Sequence, residues 1–148
     1  MLLNKNKFSN ASIGVCIVAL LLLLTTMYPY TLDDWAWGTK TGTNRLHRFF
    51  QWYGGRYTGY LTILALTRSQ LLKVLVMTTA TFSIICFCYR IACRDKNRII
   101  FLLVPILFFG MPKLMFVTSF VWVSGFANYA ISALVILICL YVTRNIFE

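Results

Sequence analysis

The sequence predicts an all-α, polytopic helical membrane protein, with about four transmembrane helices plus an interfacial amphipathic helix. Three observations carry this. The 148 residues are 59% hydrophobic and only 12% charged, about half the charged share of a soluble domain. Mean hydropathy is +0.75, more apolar surface than one soluble core can hide. The apolar residues fall in long runs without alternation, and a helix needs about 20 such residues to cross a bilayer. Backbone polar groups in hydrocarbon must be satisfied within the segment, which leaves helices or closed barrels. Runs that do not alternate select helices.

The first run lies between Lys7 and Asp33 and carries no charge. Its core, Ile13 to Met27, includes the consecutive leucines Leu20 to Leu24. A signal peptide also places basic residues before an apolar stretch. Here Met27-Tyr28-Pro29-Tyr30 stands where a small-residue cleavage site would be. The run therefore reads as a retained span, with a cytoplasmic N-terminus and an exit near Pro29.

Residues 31 to 57 are the most polar stretch, an outer loop within a single membrane domain covering 1–148. The loop opens on Asp33-Asp34-Trp35 and continues through Gly38-Thr39-Lys40-Thr41-Gly42. Asn44 to Tyr53 reads as a short amphipathic helix. Leu46, Phe49, Phe50 and Tyr53 fall at helical spacing, with Arg45 and Arg48 off that stripe. Thr43 suits its N-cap, and such a helix lies flat in the membrane interface. Gly54-Gly55 ends it.

Tyr57 to Thr67 is apolar but too short to span. The second span is expected at about Leu71 to Cys93, followed by Arg90, Arg94, Lys96 and Arg98, the densest basic cluster of the chain. The positive-inside rule makes this a cytoplasmic turn. Ile99 to Met111 climbs outward, Pro112-Lys113 interrupts it with a kink, and helix resumes through Phe116 to Val121. Trp122 to Phe126 reads as the next outer turn. Ala130 to Val142 is the last span and ends at cytoplasmic Arg144. Four crossings result, with both termini inside.

Net charge is +10, from 14 Lys+Arg against 4 Asp+Glu. The basic residues flank apolar runs, so topology and lipid phosphate explain them, and nucleic acid is not an expected partner. The five cysteines, Cys16, Cys86, Cys88, Cys93 and Cys139, lie in or beside apolar runs and read as small buried hydrophobes.

Candidate chemistry concentrates on the outer side. Asp33 and Asp34 are adjacent and just past the first span, whereas Asp95 and Glu148 fall at cytoplasmic positions. Two carboxylates can hold a divalent metal through oxygen. One can instead act as a general base, or Asp33 can simply cap a short helix. Arg45, His47, Arg48 and Arg56 place positive charge outside, against the usual bias. Arginine offers paired donors to a phosphate or pyrophosphate, and anionic lipid headgroups would satisfy it equally. Trp35, Trp37, Trp52, Tyr53 and Tyr57 suit sugar stacking or an interfacial aromatic belt.

The order of these features resembles the N-terminal part of bacterial polytopic glycosyltransferases of the GT-C class, the surface-polysaccharide glucosyltransferase-like membrane family. The resemblance rests on Asp33-Asp34-Trp35 after the first span, on Trp52-Tyr53-Gly54-Gly55-Arg56-Tyr57, and on Trp122-Val123-Ser124-Gly125-Phe126-Ala127-Asn128-Tyr129 before a later span. It implies that Asp33 and Asp34 are the catalytic pair, activating the acceptor or binding a divalent metal. It implies that Arg56 and, in the third element, Trp122, Asn128 and Tyr129 bind substrate, with Gly125 matching the motif; Arg48 is a further substrate-binding candidate from the outer positive charge alone. The implied donor is a polyprenyl-phosphate sugar and the implied acceptor a cell-surface glycan or its lipid-linked precursor, in the bacterial cytoplasmic membrane. Members of the family are several times longer, which implies an N-terminal portion or one part of a split enzyme, and Gly54 stands where the family has a small polar residue. The alternative is a non-catalytic small membrane protein that binds lipid phosphate or a partner membrane subunit.

Overall fold

The computed structural model describes residues 10–31, 33–51, 54–93 and 97–147. It is helical, with no strand among the described residues. In chain order the helices are α1 (Asn10–Met27), α2 (Asp33–Gly38), α3 (Lys40–His47), α4 (Tyr57–Leu66), α5 (Gln70–Ala92), α6 (Arg98–Phe109) and α7 (Lys113–Phe116). A π-helical turn, Val117–Val121, prolongs α7. After Trp122, α8 (Val123–Gly125), a second π-helical turn (Phe126–Ala130) and α9 (Ile131–Phe147) follow without a break.

The long helix α5 is the centre of the bundle. Ser69 starts it, its hydroxyl accepting from Leu72 N at 3.2 Å, the side-chain cap that a helix N-terminus favours. α1 packs against it antiparallel. Leu21 and Ile17 meet Ile85 and Tyr89 in one apolar cluster, and the Thr25 and Thr78 hydroxyls hydrogen-bond at 2.9 Å. α8 and α9 run parallel to α5 on another side. Val123, Phe126 and Ala130 pack against Met77, Ala80 and Ile84, and Arg144 Nη1 donates to the carbonyls of Ile91 and Arg90 at 2.6 and 3.3 Å. That guanidinium satisfies carbonyls left open at the C-terminal end of α5.

Two helices, Gln70–Ala92 and Val123–Ile146, are long and apolar enough to cross a membrane. Ile99–Phe109 and Lys113–Val121 make a third only if the pair, bent by 92°, counts as one span. The expectation of four crossings is thus met by two or three. α1 is apolar but shorter over its described residues than such a span. The kink expected at Pro112-Lys113 is close to a right angle. Gly110 caps α6, and proline at 112 cannot continue the preceding helix.

The polar stretch 31–57 is corrected more deeply. It carries two short helices rather than a loop followed by one amphipathic helix. α3 begins at Lys40 with Thr39 as its cap, the hydroxyl accepting from Thr41 N at 3.3 Å, not with Thr43. It ends at His47. Phe49 N donates to Leu46 O at 2.9 Å and Phe50 N to Arg45 O at 2.8 Å, the paired closure of a Schellman motif. Phe49 and Phe50 have φ of 52° and 55°, left-handed values that cost side-chain-bearing residues on the order of 1–3 kcal/mol each. A helix from Asn44 to Tyr53 is therefore excluded at Phe49, and its end, Trp52 and Tyr53, lies outside the described residues. So do Arg94 and Lys96 of the basic cluster.

The expected turn at Trp122 to Phe126 also shrinks. Trp122 alone is extended, with ψ 119°, and Val123 already begins the last long helix. Close approach explains Gly125, where a Cβ would overlap the Thr118 carbonyl and come within 3.0 Å of the Trp122 ring. Gly125→Ala is expected to lower stability in detergent by about 1–3 kcal/mol, read as a lower midpoint of thermal unfolding. Gly54→Ala, where a Cβ meets nothing within 4 Å, should leave the midpoint in place.

Candidate functional site

The adjacent aspartates part company in the fold. Asp33 is exposed at the start of α2, whereas Asp34 is buried, 1% exposed. Asp34 accepts from Thr31 N at 3.2 Å within its own turn. From the far end of the sequence it accepts Val123 N at 3.3 Å, Ser124 N at 3.1 Å and Ser124 Oγ at 2.8 Å. It therefore caps two helix N-termini together, α2 and the long helix that begins at Val123. Such ends present unpaired N–H groups and a partial positive charge, which a carboxylate satisfies.

A buried cation stands nearby. Lys73, in the first turn of α5, is 1% exposed. Its Nζ donates to Tyr28 O at 2.7 Å and lies 4.1 Å from the centre of the Tyr30 ring. The field of Asp34 reaches this group and also the Tyr30 phenol, whose pKa is pushed up first by burial and then by the Asp34 charge. The Tyr30 hydroxyl itself donates to Leu66 O at 3.3 Å. Asp34, Lys73 and Tyr30 thus tie the end of α1, the starts of α2, α5 and α8, and the end of α4 into one polar knot.

A small polar cavity lies beside this knot. It measures about 310 Å³ and is lined by Arg56, Thr58, Gly59, Ala127, Asn128, Tyr129 and Ser132. Asn128 Nδ2 donates to Ser124 O at 2.7 Å, so one side chain links the cavity wall to the residue that Asp34 holds. Gly59 admits Asn128, since a Cβ there would stand 2.6 Å from Asn128 Oδ1. Ser132 is eight residues beyond Ser124, or about 12 Å along the helix. Tyr129 and Ser132 are exposed, so the cavity opens on the flank of the last long helix.

The structure therefore brings Arg56, Asn128 and Tyr129 together from segments some seventy residues apart. It also joins Asp34 to the third sequence element, at Val123 and Ser124. It does not bring the remaining candidates to the cavity. Asp33 and Arg48 are exposed elsewhere, and Trp122 does not line it. The Trp122 indole N–H is buried without a hydrogen-bond partner among the described residues.

A divalent metal held by the aspartate pair does not fit this geometry. Asp34 is enclosed by N–H and O–H donors whose positive ends face its oxygens, and a cation would have to displace them. No group of three or more His, Cys, Asp or Glu side chains among the described residues is placed to hold a metal. The same donors occupy both oxygens of Asp34, two on each.

Lys73, Ser124 and Gly59 are the site residues that sequence reasoning passed over. Lys73 had no signal, because a lysine in the first turn of a span ordinarily reaches the interface. Ser124 and Gly59 had none, because their roles depend on partners distant in sequence.

Comparison with protein-family models, with curated proteins and with solved structures returned no match.

Asp34→Asn is expected to destabilise the protein by on the order of 2 kcal/mol, read as a lower thermal midpoint in detergent, because an amide presents an N–H to the donors that the carboxylate accepts. Asp33→Asn, at an exposed position, should leave it unchanged. Equal effects of the two substitutions would show that the cap is not what holds this end together.

Proposed function

We propose that the chain is a membrane glycosyltransferase of GT-C type, or the N-terminal part of one, that takes a sugar from a polyprenyl-phosphate donor. The observation that supports this most is the shared cavity of Arg56, Asn128 and Tyr129. Two sequence elements of the resemblance, separated along the chain, meet in one polar recess. Arg56 supplies a permanently charged fork of donors suited to phosphate. The opening on the flank of an apolar helix suits a ligand that arrives through the bilayer.

In this reading Asp34 is a positioning residue that sets the Ser124–Asn128 wall. Asp33, the exposed member of the pair, is the carboxylate left to take a proton from an acceptor hydroxyl. The apolar helices fit a membrane protein, and we place it in the bacterial cytoplasmic membrane, with four crossings and both termini inside. α1 and the bent α6–α7 pair would then supply crossings that their lengths alone do not require. A cysteine at position 41 should label from outside and one at position 97 from inside; outside labelling at 97 would overturn this arrangement.

The second reading is a non-catalytic membrane protein that binds lipid phosphate or a partner subunit. Its support is the enclosure of Asp34, which leaves one acidic side chain where the resemblance expects two.

Polyprenyl-phosphate binding to the protein in nanodiscs tests what both readings share. Arg56→Lys is expected to weaken it about tenfold, since charge survives but the paired donors do not. Gly59→Ala should weaken it by displacing Asn128. Unchanged affinity in both variants would dismiss the cavity as a phosphate site. Glycan analysis of a deletion strain then separates the readings. Complementation with Asp33→Asn should restore the protein without restoring transfer; full transfer would leave the binding protein as the surviving reading.

A further inference from the structure

We propose that the turn after α3 is a membrane-surface anchor, in which Phe49 inserts into an anionic lipid leaflet while the basic residues around it contact lipid phosphate.

The backbone supplies the first argument. Phe49 occupies the left-handed position that closes a Schellman motif, with φ 52°, where glycine is the favoured residue. Phe50, also left-handed, is repaid by burial. It is 4% exposed, with its ring centroid 5.4 Å from Tyr60, 6.2 Å from Tyr57 and 6.3 Å from Trp37. Phe49 has no such return, being 79% exposed. The fold pins one ring inside and turns the other outward, so the outward ring packs little against the described residues.

Charge and position select the partner. Between Gly38 and Gln51 the sequence holds Lys40, Arg45, His47 and Arg48 and no acidic residue; Arg45 lies over the Trp37 ring at 4.6 Å, and the exposed Lys40, His47 and Arg48 make the complementary surface anionic. α3 is fixed beside the start of an apolar span. Arg68 Nη2 donates to Thr39 O at 3.3 Å and to Thr43 Oγ1 at 3.2 Å, and the next residue, Ser69, caps the membrane-length helix α5. The turn is thereby held near a bilayer boundary, where an aromatic ring flanked by cations is the combination that binds anionic lipid. This inference does not depend on what the Arg56 cavity holds.

Spin labels test it in the full chain with its native cysteines replaced. The protein is reconstituted in nanodiscs of phosphatidylcholine alone or of equal parts phosphatidylcholine and phosphatidylglycerol. A label at position 49 should be more accessible to oxygen than to a nickel chelate, and more so with phosphatidylglycerol. A label at exposed position 44 should show the reverse preference. Arg48→Gln should reduce the difference between the two lipids. Preference for the nickel chelate at position 49 in both lipids would overturn the proposal. A photo-crosslinking phenylalanine analogue at position 49, in the otherwise native chain, provides a second measurement: adducts to phospholipid support the anchor, and adducts to protein alone overturn it.

Discussion

A carboxylate facing the first amides of a membrane-length helix is the interaction on which the rest of this structure depends. Helix N-termini leave N–H groups without partners, and at the edge of a bilayer water is not assured for all of them. Asp34 answers Val123 and Ser124 from 89 and 90 residues away. It thereby fixes where the last long helix begins, and so how that helix is set against α5. The same carboxylate closes the turn into α2. One buried side chain thus holds the start of α2 and the start of the last long helix against each other.

Burying that charge would be prohibitive in isolation, and the surroundings show how the fold offsets it. Backbone dipoles and the Ser124 hydroxyl face both carboxylate oxygens. Lys73 contributes a second buried charge, which a carbonyl and the Tyr30 ring accommodate. In hydrocarbon, helix association gains little from excluding water and relies on close packing and hydrogen bonds. The Thr25–Thr78 hydroxyl pair and the close passage at Gly125 are of that kind. The polar knot lies at one end of the bundle, and the apolar clusters of α1, α5, α6 and α9 occupy its length.

The cavity inherits its shape from this knot. Asn128 reaches back to Ser124, and Ser124 is held by Asp34, so the position of the cavity wall depends on a cap that does not itself line the cavity. Arg56 arrives from the opposite side at the start of α4, and Gly59 leaves the space that Asn128 occupies. The fold separates two neighbouring residues of the same chemistry, with Asp34 buried and Asp33 exposed.

Much of the helical framework was legible in the sequence because apolar run length and charge placement report directly on the solvent a segment must meet. The all-helical class, α5 within a residue of its observed start and end, and the break at Pro112 could all be read that way. The count of crossings could not. Hydropathy cannot distinguish a straight span from the 92° bend between α6 and α7. Helical periodicity failed at Phe49 and Phe50, where a Schellman closure and an aromatic cage override the pattern. It failed again at Trp122, where a single extended residue replaces the expected turn. The sequence by itself determined that this chain seeks an apolar environment as helices, since that follows from composition and spacing. Only the tertiary structure decided which aspartate is buried, that Lys73 is buried as well, and that Arg56 and Asn128 line one cavity. Those outcomes depend on hydrogen-bond partners and close contacts between residues far apart in the chain, which local patterns do not encode.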